Sequence, residues 1–182
     1  PALSPAYESM WPMSARISFE AWRMTGIDHA IAISENTRDE LLQVSGWDPS
    51  RVSVVYHGVD TEVFNPEAQP GEEARVRELT GERPYLFYVG GYDKRKQVPL
   101  LVEAFCRRLD ELDQDLVLAG RMDPGERRVL DALIPDDAKP RVRFCGYVAP
   151  DLLPALYRQA TAHVTPSMYE GFGMTLTEGF AC

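Results

Sequence analysis

The stretch Thr161-Ala162-His163-Val164-Thr165-Pro166-Ser167-Met168-Tyr169-Glu170-Gly171-Phe172-Gly173-Met174-Thr175-Leu176-Thr177-Glu178 decides the fold. Residues 161–164 are β-prone and half apolar, which predicts a short buried strand that Pro166 stops. Gly171 and Gly173 permit backbone angles that other residues resist, and a helix follows them. A strand, a glycine turn and a helix in this order aim free backbone N–H groups at the turn, and the helix dipole adds partial positive charge there. That is a seat for a phosphate. Glu170 precedes the turn and Glu178 lies inside the helix. Carboxylates beside a phosphate seat repel the phosphate, so they are suited to another part of a ligand. Sugar hydroxyls fit, because they donate hydrogen bonds that a carboxylate accepts two at a time.

The rest of the chain repeats the same unit. Residues 1–8 read as loop and residues 14–24 as a helix carrying Ile17, Phe19, Trp22 and Met24. A strand over 28–34 leads to Ser34, the N-cap of a helix over 35–44 that Gly46 closes. A strand over 51–56 and a turn over 57–60 follow, and the polar, proline-bearing residues 65–73 read as a linker. The organisation expected is therefore residues 1–64 as the end of a first α/β domain and 65–182 as a second. In the second, strands are predicted at 85–89, 116–119, 142–145 and 161–164. Helices are predicted near 73–79, over 98–109 with Leu100, Leu101, Ala104, Phe105 and Leu109 facing inward, over 124–134 and from 151. Alternation of apolar strands with helices specifies a parallel sheet covered on both faces.

In such sheets ligands sit outside the carboxyl ends of the strands. The strand-end loops are 90–96, 120–123, 146–148 and 166–173, and they carry Gly90, Gly91, Arg95, Lys96, Arg121, Tyr147 and Val148 to the edge shared with Glu170 and Glu178. Cations, a helix N-terminus and hydroxyl-directed carboxylates together describe a site for a nucleoside-diphosphate sugar.

Composition narrows the alternatives. The 182 residues carry 19 Lys plus Arg against 28 Asp plus Glu, a formal charge of −9. An acidic chain without a basic block argues against nucleic-acid binding. Cys106, Cys145 and Cys182 show neither metal spacing nor a disulfide framework, which favours a reducing compartment. No apolar run reaches the ~18 residues that span a bilayer. Gly90-Gly91 is not the dinucleotide fingerprint, and no Walker A pattern is present. Lys94-Arg95-Lys96 would be a solvated charge run elsewhere; after a glycine pair at a strand end it reads as a phosphate contact. Asp113-Gln114-Asp115 has the spacing of a metal-binding acidic pair but precedes a strand, at the edge away from the ligand. His29 and His163 lie in strands and read as structural, whereas His57 lies in a turn between the halves and either packs there or faces a cleft. If helical throughout, Glu170 and Glu178 are separated by roughly 12 Å at ~1.5 Å per residue. A glycosidase acid pair needs about 5–9.5 Å, which disfavours a hydrolase.

These residues resemble a known family. The segment PSMYEGFGMTLTEGFAC, with Glu170 and Glu178 at its glutamate positions, is similar to the signature of retaining glycosyltransferases of family 4, which have the GT-B fold of two facing Rossmann-like domains. AIAISENTRDEL resembles the last strand-helix unit of that family's first domain, and VSVVYHGVD resembles its crossover. YLFYVGGYDKRKQVPLLVEAF resembles its first donor-domain unit, and VRFCGYVAPDLLPALYRQATAHVTPS its base-binding loop and the unit after it. The likeness runs from about residue 28 onward.

The resemblance implies that Lys96 binds the donor diphosphate, that Glu170 lies near the donor sugar hydroxyls, and that Glu178 binds the ribose hydroxyls. It also implies that Gly171, Phe172, Gly173 and Met174 line the phosphate and sugar with backbone N–H groups, and that the backbone of Tyr147 and Val148 meets the base. One departure is visible: Gly91 stands where the family commonly has an arginine, so Arg95 is the candidate for the missing charge beside Gly90. The expected activity is metal-independent, cofactor-free transfer of a sugar, with retained configuration, to a glycan or lipid-linked acceptor, with GDP-mannose the preferred donor over UDP-linked sugars. A cytoplasmic location with peripheral association at a membrane face fits such an acceptor. The chain is expected to be part of a longer protein and inactive alone. The alternative from another class is a nucleotide-sugar binding module without catalysis.

Overall fold

A computed structural model describes residues 26–182, so the expected loop at 1–8 and helix at 14–24 lie outside the described residues. The chain divides into two compact units. One holds the residues up to Gly58 together with Tyr169–Gly173, and the other holds Val59–Met168 and Met174–Cys182. The division falls at Gly58, ahead of the expected boundary at 64/65, and it assigns the glycine turn to the first unit.

In the first unit, β1 (Ala30–Ala32) and β2 (Val52–Val54) pair in parallel, and α1 (Glu35–Ser45) runs between them. Both strands are shorter than the β-prone runs around them. The sequence of α1 dictates both its ends. The Ser34 side chain accepts a hydrogen bond from the Thr37 N–H at 3.0 Å, filling one of the donors a helix start leaves open. At the other end Gly46 adopts φ 66° and returns its N–H to the Leu42 carbonyl.

In the second unit, α2 (Glu72–Thr80) precedes β3 (Tyr85–Val89), followed by α3 (Val98–Arg107), β4 (Asp115–Ala119), α4 (Pro124–Leu133), β5 (Val142–Gly146), α5 (Leu153–Gln159), β6 (Ala162–His163) and α6 (Met174–Ala181). The four strands form one parallel sheet in the order β5-β4-β3-β6. Strand alternation sends side chains to two cores. Tyr88, Leu116 and Leu118 join Val98, Leu101, Val102, Phe105 and Leu130 on one face. Tyr85, Phe87, Val117 and Ala119 join Val76, Leu152, Ala155, Leu156 and Tyr157 on the other. Every residue of β4 is buried, as expected of a central parallel strand.

The inward face of α3 differs from expectation. Val98, Leu101, Val102 and Phe105 are buried, whereas Leu100 and Ala104 are exposed. Both sets have helical spacing, and the helix phase is fixed by its start: Gln97 adopts a left-handed φ of 52° and turns Val98 into the core.

Two ion-pair clusters fasten the edges. Residues 65–73, which read as a linker, are tied into the second unit by the buried Glu72–Arg158 pair, whose guanidinium also donates to the Asn65 carbonyl at 2.9 Å. That guanidinium holds the Glu72 carboxyl below its ordinary range against the opposing effect of burial. Phe64 packs edge-on to Tyr157, with centroids 6.2 Å apart. At the start of β4, buried Asp115 meets Arg141 at 2.7 Å, Arg83 at 3.2 Å and Arg143 at 3.4 Å. Asp115 is thus the structural anchor of its acidic pair, at the edge opposite the strand ends.

Candidate nucleotide-sugar site

The carboxyl ends of three neighbouring strands each finish on a glycine: Gly90 after β3, Gly120 after β4 and Gly146 at the end of β5. Backbone hydrogen bonds hold them together, from the Gly90 N–H to the Ala119 carbonyl (3.1 Å) and from the Gly120 N–H to the Gly146 carbonyl (2.7 Å). A Cβ on Gly120 would lie 1.9 Å from the Gly90 carbonyl oxygen, and its φ is 131°. Only glycine fits there, and the sheet edge is left without side chains where a ligand's backbone-facing groups would approach.

The expected cationic loop lies at this edge. Lys94–Lys96 form a short 3-10 turn immediately before α3. Lys96 is half-buried, and its N–H donates to the Asp93 carbonyl at 2.9 Å. Lys96 thus stands immediately before the N-terminus of α3, where the helix dipole adds partial positive charge. The Arg95 guanidinium stands 3.2 Å from Asp93, and the Arg95 carbonyl accepts the Met168 N–H at 2.8 Å. The loops following β3 and β6 therefore meet, as the sequence predicted. Gly91 is exposed, and its carbonyl accepts a hydrogen bond from the Tyr88 hydroxyl.

Beyond β5, the Val148 side chain joins the second core and so fixes the backbone of its loop. Tyr147 points outward, 62% exposed, with the Arg121 guanidinium 4.9 Å from its ring centroid. On α6, Met174 is the first helical residue, and Glu178 accepts a hydrogen bond from the Tyr157 hydroxyl at 3.0 Å. Burial raises the Glu178 carboxyl above its ordinary range, and the tyrosine hydrogen bond opposes that rise. His163 packs edge-on against Tyr157 at 5.1 Å, and burial holds it neutral. It is structural, as read. Burial also pushes the Cys145 thiol up to about 11, so it is an inert packing group at neutral pH.

The glycine turn itself belongs to the first unit. Of its two glycines only Gly173 is left-handed, at φ 89°. Gly171 is not left-handed, and a Cβ there would make a tight contact, 3.3 Å, with the Ile33 Cδ1 atom. The Gly171 carbonyl accepts the hydroxyls of Ser34 (2.5 Å) and Thr37 (3.2 Å). The Tyr169 hydroxyl donates to Glu40, so the chain flanking Glu170 is held on both sides by α1. Phe172 packs against Tyr56 (6.1 Å) and edge-on to His57 (5.5 Å, 86°). Ser34, Thr37 and Glu40 are the residues the sequence reading missed. Ser34 was legible only as a helix cap, and no local signal links it to a residue 137 positions away.

Among the described residues, no three His, Cys, Asp or Glu side chains are grouped to hold a metal ion, and no helix is long and apolar enough to cross a membrane.

Comparison with known proteins accords with this architecture. Residues 83–182 match the model of the group 1 glycosyl transferases, and residues 3–63 match that of glycosyltransferase family 4. An alpha-maltose-1-phosphate synthase of Mycolicibacterium smegmatis is 32% identical over 165 residues, covering 85% of this chain and 42% of that protein. The sucrose-phosphate synthase structure from Thermosynechococcus elongatus superposes with a TM-score of 0.76 at 28% identity, over 93% of this chain and 42% of that one. The Anabaena protein HepE, in complex with UDP and glucose, superposes with a TM-score of 0.72 at 21% identity, over 85% and 42% of the two chains. The chain thus spans about two fifths of the length of the relatives it matches. Its parallel α/β architecture is that of the GT-B glycosyltransferases. On the match of its residues 83–182, this chain belongs to the group 1 glycosyltransferases, of the family 4 type.

Proposed function

We propose that the chain is the donor-binding side of a retaining glycosyltransferase that takes its sugar from a nucleoside diphosphate and passes it to a glycan or lipid-linked acceptor without a metal ion. The observation that carries the reading is the placing of Lys96, before the N-terminus of α3, at the sheet edge where Gly90, Gly120 and Gly146 leave the backbone bare. In this reading the Lys96 ammonium, with Arg95 beside it, meets the donor diphosphate. As the glycosidic bond breaks, negative charge grows on the departing diphosphate, and a preorganised cation lowers the energy of that transition state without having to reorganise. Glu170 faces the sugar hydroxyls, Gly171 to Met174 offer backbone N–H groups, and Glu178 accepts the ribose hydroxyls. The backbone of Tyr147 and Val148 meets the base.

The relatives support a nucleotide-sugar donor, since the HepE structure holds UDP and glucose. GDP-mannose remains our proposed donor, and the cytoplasmic face of a membrane our proposed location. Sugar transfer requires groups beyond the donor side, so this chain alone binds donor without turning it over. A thermal-shift screen of GDP-, UDP- and ADP-linked sugars tests the reading, because a ligand that binds only the folded state raises its melting temperature. Stabilisation by one base class, lost in Lys96→Ala, is the expected result. No stabilisation by any nucleotide sugar would refute it.

A further inference from the structure

The contact between α5 and α6 assigns a task to a residue outside the proposed ligand contacts. We propose that Tyr157 is a positioning residue for Glu178: its hydroxyl holds one carboxylate oxygen and so turns the other toward the ribose hydroxyls. The inference rests on the reading of Glu178 as a ribose contact.

Four observations carry it. The Tyr157 ring is 6% exposed and enclosed edge-on by Phe87 at 5.4 Å, His163 at 5.1 Å and Phe64 at 6.2 Å. A ring so packed cannot swing its hydroxyl away, so the donor position is fixed. The hydroxyl donates to the Glu178 Oε2 atom at 3.0 Å. The next residue is Gly179, where a Cβ would lie 3.3 Å from Tyr157 Cδ1 and 3.5 Å from His163 Nδ1, so the absence of a side chain lets α6 settle onto the ring. A carboxylate that accepts at one oxygen keeps the other free to accept, and a fixed acceptor loses less entropy on binding than a mobile one.

Proton chemistry follows from the same contact. The Tyr157 hydroxyl from α5 bonds this carboxylate, and the carboxylate's charge reaches the Cys182 thiol just after α6, on which Arg158 and Glu72 also act. His163 of β6 abuts the same ring and is held neutral. The Tyr157 hydrogen bond is what opposes the rise that burial imposes on Glu178. Without it Glu178 protonates at higher pH, and a protonated carboxyl is a poorer acceptor for ribose.

The test titrates a nucleoside diphosphate and its 2′,3′-dideoxy form into the chain between pH 5 and 8, for the wild type, Glu178→Gln and Tyr157→Phe. The reading of Glu178 predicts that the wild type prefers the ribose form and that Glu178→Gln loses the preference; a wild type without preference refutes that reading. The inference predicts that Tyr157→Phe loses about tenfold of the preference, the worth of one charge-assisted hydrogen bond. It also predicts that the acidic midpoint of binding moves to higher pH while dideoxy affinity holds. A Tyr157→Phe protein that keeps both the preference and the midpoint, while Glu178→Gln loses the preference, overturns the inference and leaves the reading intact. Should Tyr157→Phe fail to fold, 3-fluorotyrosine at position 157 keeps the shape and strengthens the donor. The acidic midpoint must then move to lower pH, and an unmoved midpoint overturns the inference equally.

Discussion

Ser34 donates its hydroxyl hydrogen to the Gly171 carbonyl at 2.5 Å while accepting the Thr37 N–H at 3.0 Å. One side chain thus caps a helix and pins the glycine turn beside Glu170. The two tasks separate by substitution. Ser34→Ala loses both, and the missing cap alone costs about 1 kcal/mol. Ser34→Asp keeps the cap acceptor but has no proton for Gly171. The expected outcome for Ser34→Asp is a retained helix cap but a released turn, because its carboxylate repels the Gly171 carbonyl, with a reduced affinity difference between nucleotide sugar and free nucleotide. Equal differences in wild type and Ser34→Asp would show that the turn does not depend on this bond.

Gln97 is the only non-glycine residue at positive φ among the described residues, at 52°, between Lys96 and α3. Left-handed backbone costs a side-chain-bearing residue roughly 1–2 kcal/mol, and β-branched residues more. Gln97→Gly is expected to raise the stability by about 0.5–1 kcal/mol, despite losing the Gln97 side-chain bond to the Lys94 carbonyl. Gln97→Val is expected to lower it by more than about 1 kcal/mol. Urea midpoints of the two variants, moving in opposite directions, check this.

At Gly120 the constraint is absolute contact rather than preference. The Cβ of Gly120→Ala would meet the Gly90 carbonyl oxygen at 1.9 Å, at a φ of 131°. Forcing β3 and β4 apart at their carboxyl ends is expected to cost about 3 kcal/mol or more. Calorimetric melting of the variant measures the loss, and Gly58→Ala, whose added Cβ meets nothing within 4 Å, is the control.

Much of this fold was legible because its signals are local. The apolar run Tyr85–Val89 is a strand at the residues expected, and Ser34 caps α1 as its position before Glu35 suggested. The inward face of α3 was not, because Leu100 and Val102 are equally apolar and only the left-handed Gln97, a conformation glutamine rarely adopts, sets the helix phase. The position of the Lys94–Lys96 loop, between β3 and α3, was legible from the apolar strand and the glycine pair before it. The holding of the turn by Ser34, Thr37 and Glu40, and of Glu178 by Tyr157, was not legible, because a hydrogen bond between residues far apart in the chain leaves no periodicity behind it.

His163 makes stability depend on pH. Burial lowers its proton affinity in the folded state, so below about pH 6.5 the unfolded chain binds a proton that the folded chain refuses. Stability therefore falls as pH drops from that point toward the depressed folded value. Glu178 acts in the opposite sense, since its raised folded value makes acidification stabilising. The difference between wild type and His163→Gln isolates the histidine. Urea unfolding at pH 7.5, 6.5 and 5.5 is expected to show the wild type losing stability relative to the variant on acidification.

The central claim is that Lys96 at the N-terminus of α3 grips a donor diphosphate, and calorimetric titration of the chain with UDP, GDP and ADP before and after Lys96→Ala tests it most directly. The account predicts saturable binding of at least one nucleoside diphosphate that weakens at least about tenfold in Lys96→Ala, the loss of a charge-assisted hydrogen bond. Equal affinity in wild type and Lys96→Ala would contradict it.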